Sequence, residues 1–266
     1  MKTVGFIGCG NMGGAMARAL CRTVSPQDIV LANRTPAKAE ALAAELGCRT
    51  GSNENAALCD LVMLAVKPQM MASMLAPLQP LLAARKDRFI LCTMAAGLSM
   101  AQIRQMAGGD YPVFRINPNI PSSTGEGMIP YCAAGLTPEE EAECVRILSG
   151  AGRVDSIPES LIDAASCVSG CGPAWAYQFI EALADGGVAC GLPRAKATEY
   201  AAQMLLGSAK MLLDTGRHPG ALKDAVCSPG GTTIQGVRVL EERGFRGAVT
   251  DAVIAAYEKT CKLREG

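Results

Sequence analysis

A glycine-rich turn set between an apolar strand and a helix, within the first twenty residues, does most to limit what this chain can become. Residues 3–8 (Thr-Val-Gly-Phe-Ile-Gly) predict a buried strand. Gly8-Cys9-Gly10-Asn11-Met12-Gly13 follows at once as Gly-x-Gly-x-x-Gly, and Met12, Ala15, Met16, Ala19 and Leu20 then recur at helical spacing. In this strand–turn–helix setting the glycines permit a tight turn, a close approach of backbone to a pyrophosphate, and packing of helix on strand. The bare pattern also occurs as a turn with no ligand. Its position directly after a strand and at the opening of a helix favours a dinucleotide site and a parallel α/β fold.

The following segments agree. Ile29-Val-Leu-Ala32 predicts a second strand, Thr35-Pro36 opens a helix as cap and first-turn proline, and Gly47 closes it. Leu61-Val-Met-Leu-Ala-Val66 and Phe89-Ile-Leu-Cys-Thr93 are uninterrupted apolar runs, and segments 113–116 and 128–131 predict later strands. Continuous rather than alternating apolar strands, separated by helices, predict a parallel sheet covered on both faces. From Thr137-Pro138 the character changes: a helix over 138–149, a short strand over 154–157, then helical patterns at 159–169, 172–187, 194–214, 219–226, 232–243 and 247–263, punctuated by Gly and Pro. The expected fold class is α/β, with an N-terminal doubly wound Rossmann sheet over residues 1–158 and an all-helical domain over 159–266.

Composition removes several classes of function. Lys plus Arg equals Asp plus Glu at 25 each, so no global field draws the chain to nucleic acid or to an anionic membrane. No apolar run reaches the roughly 18 residues of a membrane span. Met1-Lys2-Thr3 leads straight into the first strand without a secretory leader, and the twelve cysteines are scattered with no CxxC pair. Cys167 and Cys171, four apart on a predicted helix, form a conceivable metal pair. With one histidine in the chain and no second pair, small buried hydrophobes are the better reading, and no metal is expected. A reduced, cytoplasmic protein is the expectation.

Three loops follow strands on the carboxyl edge of the sheet, where ligands of doubly wound folds bind. The second strand ends in Asn33-Arg34-Thr35, without the acidic residue that accepts a ribose 2′-hydroxyl. An arginine fork and a threonine hydroxyl suit a 2′-phosphate, so NADPH is favoured, with NADH admissible. Ala65-Val66-Lys67-Pro68 ends the next long strand, with cofactor contact favoured over acid–base work for Lys67. Met94-Ala95-Ala96-Gly97 ends the one after, and its small residues leave space for a nicotinamide.

A second glycine turn, Ser228-Pro-Gly230-Gly231-Thr232-Thr233-Ile-Gln-Gly236, lies late in the chain. Gly230 and Gly231 let backbone approach a ligand closely, and Thr232 or Thr233 is expected to cap a helix. Free amides at such a start suit a carboxylate, and a threonine hydroxyl can donate to a nitrogen beside it. Taken alone, an ordinary Pro-Gly turn is the simpler reading.

Taken together, these segments resemble the pyrroline-5-carboxylate reductase family over nearly the full length. The resemblance rests on the opening fingerprint, Ala65-Val-Lys-Pro68, Met94-Ala-Ala-Gly97, Val168-Ser-Gly-Cys-Gly-Pro-Ala174, Glu181-Ala-Leu-Ala-Asp-Gly-Gly187, Gly191-Leu-Pro193, His218-Pro-Gly220 and Leu222–Ile234. It implies NADPH-dependent hydride transfer to a cyclic imine, giving L-proline, and a C-terminal domain whose helices interlock two subunits, with dimers assembling further. It implies that the turn's amides (Ser228 to Thr232) hold the substrate carboxylate while Thr233 lies beside the ring nitrogen. Lys67, Pro68, Ala95 and Ala96 match cofactor-contact positions, and Asn53 lies near an asparagine on the adenosine side. Ala225 stands where some members carry asparagine and Cys227 where many carry serine; neither departure removes a group the chemistry needs.

Two other readings compete with this one. Hydroxyacid dehydrogenases of similar build place a lysine soon after a Gly-x-Gly; Gly170-Cys-Gly172 is followed by Pro-Ala-Trp-Ala-Tyr, with no lysine through Glu181. Tyr177 on an apolar face suits packing better than catalysis. A silent nucleotide-binding protein would not need two intact glycine turns. His218, in a turn before Pro219, reads as structural.

Overall fold

The computed structural model describes residues 1–264. Eight strands form one sheet: β1 (Val4–Ile7), β2 (Ile29–Ala32), β3 (Arg49–Thr50), β4 (Leu61–Leu64), β5 (Ile90–Thr93), β6 (Val113–Ile116), β7 (Gly127–Ala134) and β8 (Gly152–Ser156). Their order is β3-β2-β1-β4-β5-β6-β7-β8, with the chain turning outward from β1 in both directions, as in a doubly wound dinucleotide fold. Helices between them are α1 (Asn11–Leu20), α2 (Pro36–Leu46), α3 (Asn53–Ala57), α4 (Met71–Leu75), α5 (Gln79–Ala84), α6 (Met100–Ala107) and α7 (Pro138–Leu148). Strands β1, β2, β4, β5 and β6 are buried at every residue, which is why they read as unbroken apolar runs.

One pairing departs from the expected all-parallel sheet. Strand β7 runs antiparallel to β6, with Arg115 opposite Cys132 and Phe114 opposite Ala133. Only a short 3₁₀ segment, Ile120–Thr124, separates the two strands. A parallel return needs a crossover of about a dozen residues or more, usually a helix, so the chain doubles back instead. Two cores flank the sheet. One face buries Phe6, Met16, Leu31 and Met63 with Phe114, which stacks on Tyr131 at 4.6 Å; the other buries Ile7, Leu64, Met71, Leu91 and Ile103.

The remaining helices are α8 (Ile162–Ser169), α9 (Gly172–Ala189), α10 (Arg194–Thr215), α11 (Pro219–Val226), α12 (Thr232–Glu242) and α13 (Phe245–Arg264). The chain divides into two compact units, Gly172–Ala255 and the rest, so α8 is grouped with the sheet. The reason is polar: Asp163 of α8 is buried against Arg115 of β6. The residues from Ala256 onward also count with the sheet unit, where the Thr260 hydroxyl lies 3.8 Å from the Cys167 thiol. In the other unit, α9 and α10 are joined by Gly191-Leu-Pro193; Gly191 has φ +96°, which glycine adopts at no steric cost. Large apolar side chains stay exposed on α10 in the single chain, among them Tyr200, Leu206, Met211 and Leu213. Among the described residues no helix is long and apolar enough to cross a membrane.

Candidate active site

The first turn of α1 is built to be approached. Its N-cap is Gly10, extended and without any side-chain hydrogen bond, and the amides of Asn11 and Met12 have no acceptor among the described residues. Two fingerprint glycines are required by the protein itself. Gly8 has φ +109°, and a Cβ there would lie 2.6 Å from the Ala65 carbonyl oxygen; a Cβ on Gly13 would overlap the Gly8 carbonyl. At Gly10 a Cβ would meet nothing within 4 Å, so internal packing leaves this position room for a ligand. A helix start with open amides, no side chain in the way and an aligned dipole fits a pyrophosphate.

Cys9 is committed inward. Its amide donates to Asn33 Oδ1 at 3.0 Å, and its thiol to the Ala32 carbonyl at 3.5 Å. Burial pushes that thiol up to about 11, so it stays protonated near neutral pH. Asn33 in turn donates through Nδ2 to the Thr35 carbonyl at 3.0 Å, tying the fingerprint loop to the end of β2. Thr35 is the N-cap of α2, but its hydroxyl makes no capping bond. Beside it, a cavity of about 420 Å³ brings together Asn33, Arg34 and Asn53 with Ser52 and two acids, Glu40 and Glu54. Arg34 is exposed and has no partner among the described residues, which leaves its fork for an anion.

The next two loops lie on the same edge. Ala65 donates its amide to the Ile7 carbonyl at 2.9 Å, and Val66 is half-buried. Lys67 is extended (φ −63°, ψ 147°) before Pro68 and exposes its side chain. After β5, the buried Thr93 hydroxyl accepts from the Ala95 amide at 3.3 Å. Ala95 is buried, Ala96 exposed and Met94 intermediate.

The late glycine turn is self-supporting. Gly231 donates its amide to the Ser228 carbonyl at 3.0 Å, Gly230 has φ +70°, and a side chain at Gly231 would collide with the Ser228 hydroxyl. The expected threonine cap is corrected here: Gly231 is the N-cap of α12, extended at φ −72° and ψ 173°, with no side-chain bond. Thr232 and Thr233 already have helical backbone at the first two positions, where a hydroxyl cannot fold back onto the following amides as a cap does. Their hydroxyls are exposed and unpartnered among the described residues. His218 is a cap: its Nδ1 accepts from the Gly220 amide at 3.1 Å and starts α11. Cys167 is buried and Cys171 exposed, and among the described residues no group of three or more His, Cys, Asp or Glu could hold a metal.

Sequence reasoning missed a polar brace. Arg115, with a side chain 5% exposed, donates to Asp163 Oδ1 at 2.7 Å and to Glu159 Oε1 at 3.3 Å. Glu159 Oε1 also accepts the Met100 amide at 2.8 Å. Asn119, also buried, donates to the Ser169 carbonyl and accepts from the Met128 amide. The signal was a single charge inside the apolar run Val113-Phe-Arg-Ile116, which demands a buried partner.

Comparison with known proteins agrees with this architecture. The family model described as Pyrroline-5-carboxylate reductase dimerisation matches residues 159–263, and one described as NADP oxidoreductase coenzyme F420-dependent matches 3–96. The pyrroline-5-carboxylate reductase of Escherichia coli is 43% identical, covering 98% of both chains; that of Synechocystis is 40% identical, covering 98% of this chain and 97% of its own. A Plasmodium falciparum pyrroline carboxylate reductase crystallised with NADP bound superposes with a TM-score of 0.86 at 30% identity, covering 98% of each chain. The fingerprint, the late glycine turn and these full-length likenesses lead to one conclusion: the chain belongs to the pyrroline-5-carboxylate reductase family.

Proposed function

We propose that this chain carries out its family's reaction, the NAD(P)H-dependent reduction of the carbon–nitrogen double bond of pyrroline-5-carboxylate to L-proline, the last step of proline biosynthesis. The observation that carries the reading is the start of α12: a turn held open by Gly230 and Gly231, with no side chain capping the helix and two unpartnered hydroxyls beside its free amides. The amides of Gly230 and Thr232, with the Ser228 hydroxyl, accommodate the substrate carboxylate, while Gly231, its amide bonded to the Ser228 carbonyl, shapes the turn. Thr233 hydrogen-bonds the ring nitrogen. The substrate is already electrophilic as an iminium, so the protein needs no strong acid and acts by positioning.

Gly8, Gly10, Asn11, Met12 and Gly13 fit the pyrophosphate, with Cys9 supporting the turn through its bond to Asn33. Arg34 and Asn53 face the adenosine end, and the exposed guanidinium supports NADPH over NADH. Ala65, Val66, Lys67 and Pro68, with Met94, Ala95 and Ala96, border the nicotinamide, which when bound supplies the hydride. The exposed apolar side chains of α10 support a homodimer that assembles further, the late turn of one subunit serving the cofactor edge of its partner. Residues 159–266 act as the substrate-binding and dimerisation domain. Twelve free thiols support a cytoplasmic location, and the charge balance supports a protein without nucleic-acid or membrane partners.

Steady-state oxidation of NADPH and NADH with pyrroline-5-carboxylate tests the reading, beside the six-membered cyclic imine acid. Turnover with the five-membered ring is expected. A chain that turns over only the larger ring would be an imine reductase of another substrate, and one that turns over neither would end the proposal.

A further inference from the structure

We infer that Glu159 is a positioning residue for the loop over 94–99, holding it at the spacing that hydride transfer requires. The inference rests on the reading that this loop borders the nicotinamide. At its front end the loop is fixed by the buried Thr93, whose hydroxyl accepts the Ala95 amide. Across its middle the amides of Ala96 and Gly97 have no partner among the described residues, and Gly97 has φ +77°. At its far end the loop enters α6, and the first helical amide, Met100 N–H, is taken by Glu159 Oε1 at 2.8 Å. That amide is one of the orphan donors of a helix start, which needs an acceptor from elsewhere. Here the acceptor comes from 59 residues further along the chain.

Glu159 is itself held. The same oxygen accepts from Arg115 at 3.3 Å, and Arg115 is anchored on Asp163 at 2.7 Å with both side chains 5% exposed. A cavity of about 470 Å³, lined by Gly97, Ser99, Gln102, Arg115, Glu159 and Ser160, lies against the loop. Packing alone therefore does not fill the space beside Gly97; the loop is held by its two polar anchors, by the Ser99–Gln102 capping box and by Leu98 packed on the core. The arginine–carboxylate brace costs desolvation, and an apolar cluster of similar volume would hold α8 to the sheet without that cost. What an apolar cluster cannot do is accept the Met100 amide.

The test separates this hydrogen bond from general damage. Glu159→Ala removes the acceptor, and Glu159→Gln keeps an oxygen that can receive the same amide. Met100→Pro removes the donor along with the side chain: proline is well accommodated at the first helical position, and Ser99 before it is already extended (φ −77°, ψ 161°). Met100→Ala controls for the lost side chain. Three quantities are read: kcat, the primary isotope effect with 4-deuterated NADPH, and the affinity for 2′,5′-ADP, a cofactor fragment without a nicotinamide. In Glu159→Ala and Met100→Pro, kcat is expected to fall about tenfold with a larger isotope effect, as for a small misplacement of reacting atoms. Affinity for 2′,5′-ADP is expected to stay at the wild-type value, and Glu159→Gln and Met100→Ala to keep most of the rate. Unchanged kcat in Glu159→Ala or Met100→Pro overturns the inference. So does a parallel loss of 2′,5′-ADP affinity, which means global loosening, and so does Glu159→Gln behaving like Glu159→Ala. A wild-type chain that binds neither 2′,5′-ADP nor NADPH sinks the cofactor reading itself, a result distinct from all of these.

Discussion

Thr233 carries an exposed hydroxyl that nothing in its own unit uses, at the second position of a helix whose cap is a glycine. A group so placed costs the fold almost nothing to remove. Thr233→Ala is therefore expected to leave thermal stability and NADPH affinity unchanged while kcat falls on the order of tenfold to a thousandfold, as for other single preorganised donors. Stopped-flow reduction with fluorescence titration of the cofactor checks both halves, and full turnover would remove Thr233 from the mechanism. Arg34 is the corresponding case at the adenosine end. Losing a charge-assisted bond to a 2′-phosphate should raise the KM for NADPH about 10–100-fold in Arg34→Ala, with the KM for NADH unchanged. Equal effects on the two cofactors would show that Arg34 does not read the phosphate. Both residues were legible in the sequence because each sits in a short local pattern. Glu159, Arg115 and Asp163 were not, because their meaning lies in partners 44 to 59 residues away.

The elements whose ends are set by local chemistry were the easiest to read. α2 begins at Pro36 and ends against Gly47, which has φ +75°, and α11 spans Pro219–Val226 as its Pro and His signals imply. The two-residue β3 and the reversal of β7 escaped, since the first is too short for any periodicity and the second depends on what β7 pairs with. α7 illustrates local chemistry that also carries a pH response. Thr137 accepts the Glu140 amide, Glu140 returns the bond to the Thr137 amide, and Arg88 pairs with the same carboxylate at 2.7 Å. The hydrogen bond from Arg88 is the largest cause holding the Glu140 carboxyl down, from an ordinary 4.5 to about 2. A depressed acid stabilises the fold above its unfolded value and loses that contribution as pH falls, here between about 4.5 and 2. Because solvent screens the pair, its worth is about 1 kcal/mol or less. Glu140→Gln should flatten that acid limb in urea melts across the same pH range; an unaltered limb would mean the pair contributes nothing.

At the scale of the molecule, the division into two compact units separates the cofactor fingerprint from the late glycine turn. Activity then depends on assembly if the turn serves a partner's cofactor edge. Specific activity is expected to fall on dilution in step with the loss of dimer seen by sedimentation, and the thermal midpoint to rise with protein concentration. Constant specific activity from a species that sediments as a monomer would refute the shared site. The sequence announced two domains through its change from apolar strands to helices, but not where the chain ends up: the close approach of Thr260 to Cys167 assigns the final stretch of α13 to the sheet unit. A nascent chain therefore cannot finish its first-made domain until residues 256–264 have left the ribosome. The earliest segment to emerge waits longest for its closing contact, and any extension fused behind the last helix would be felt by a unit whose strands were complete a hundred or so residues before.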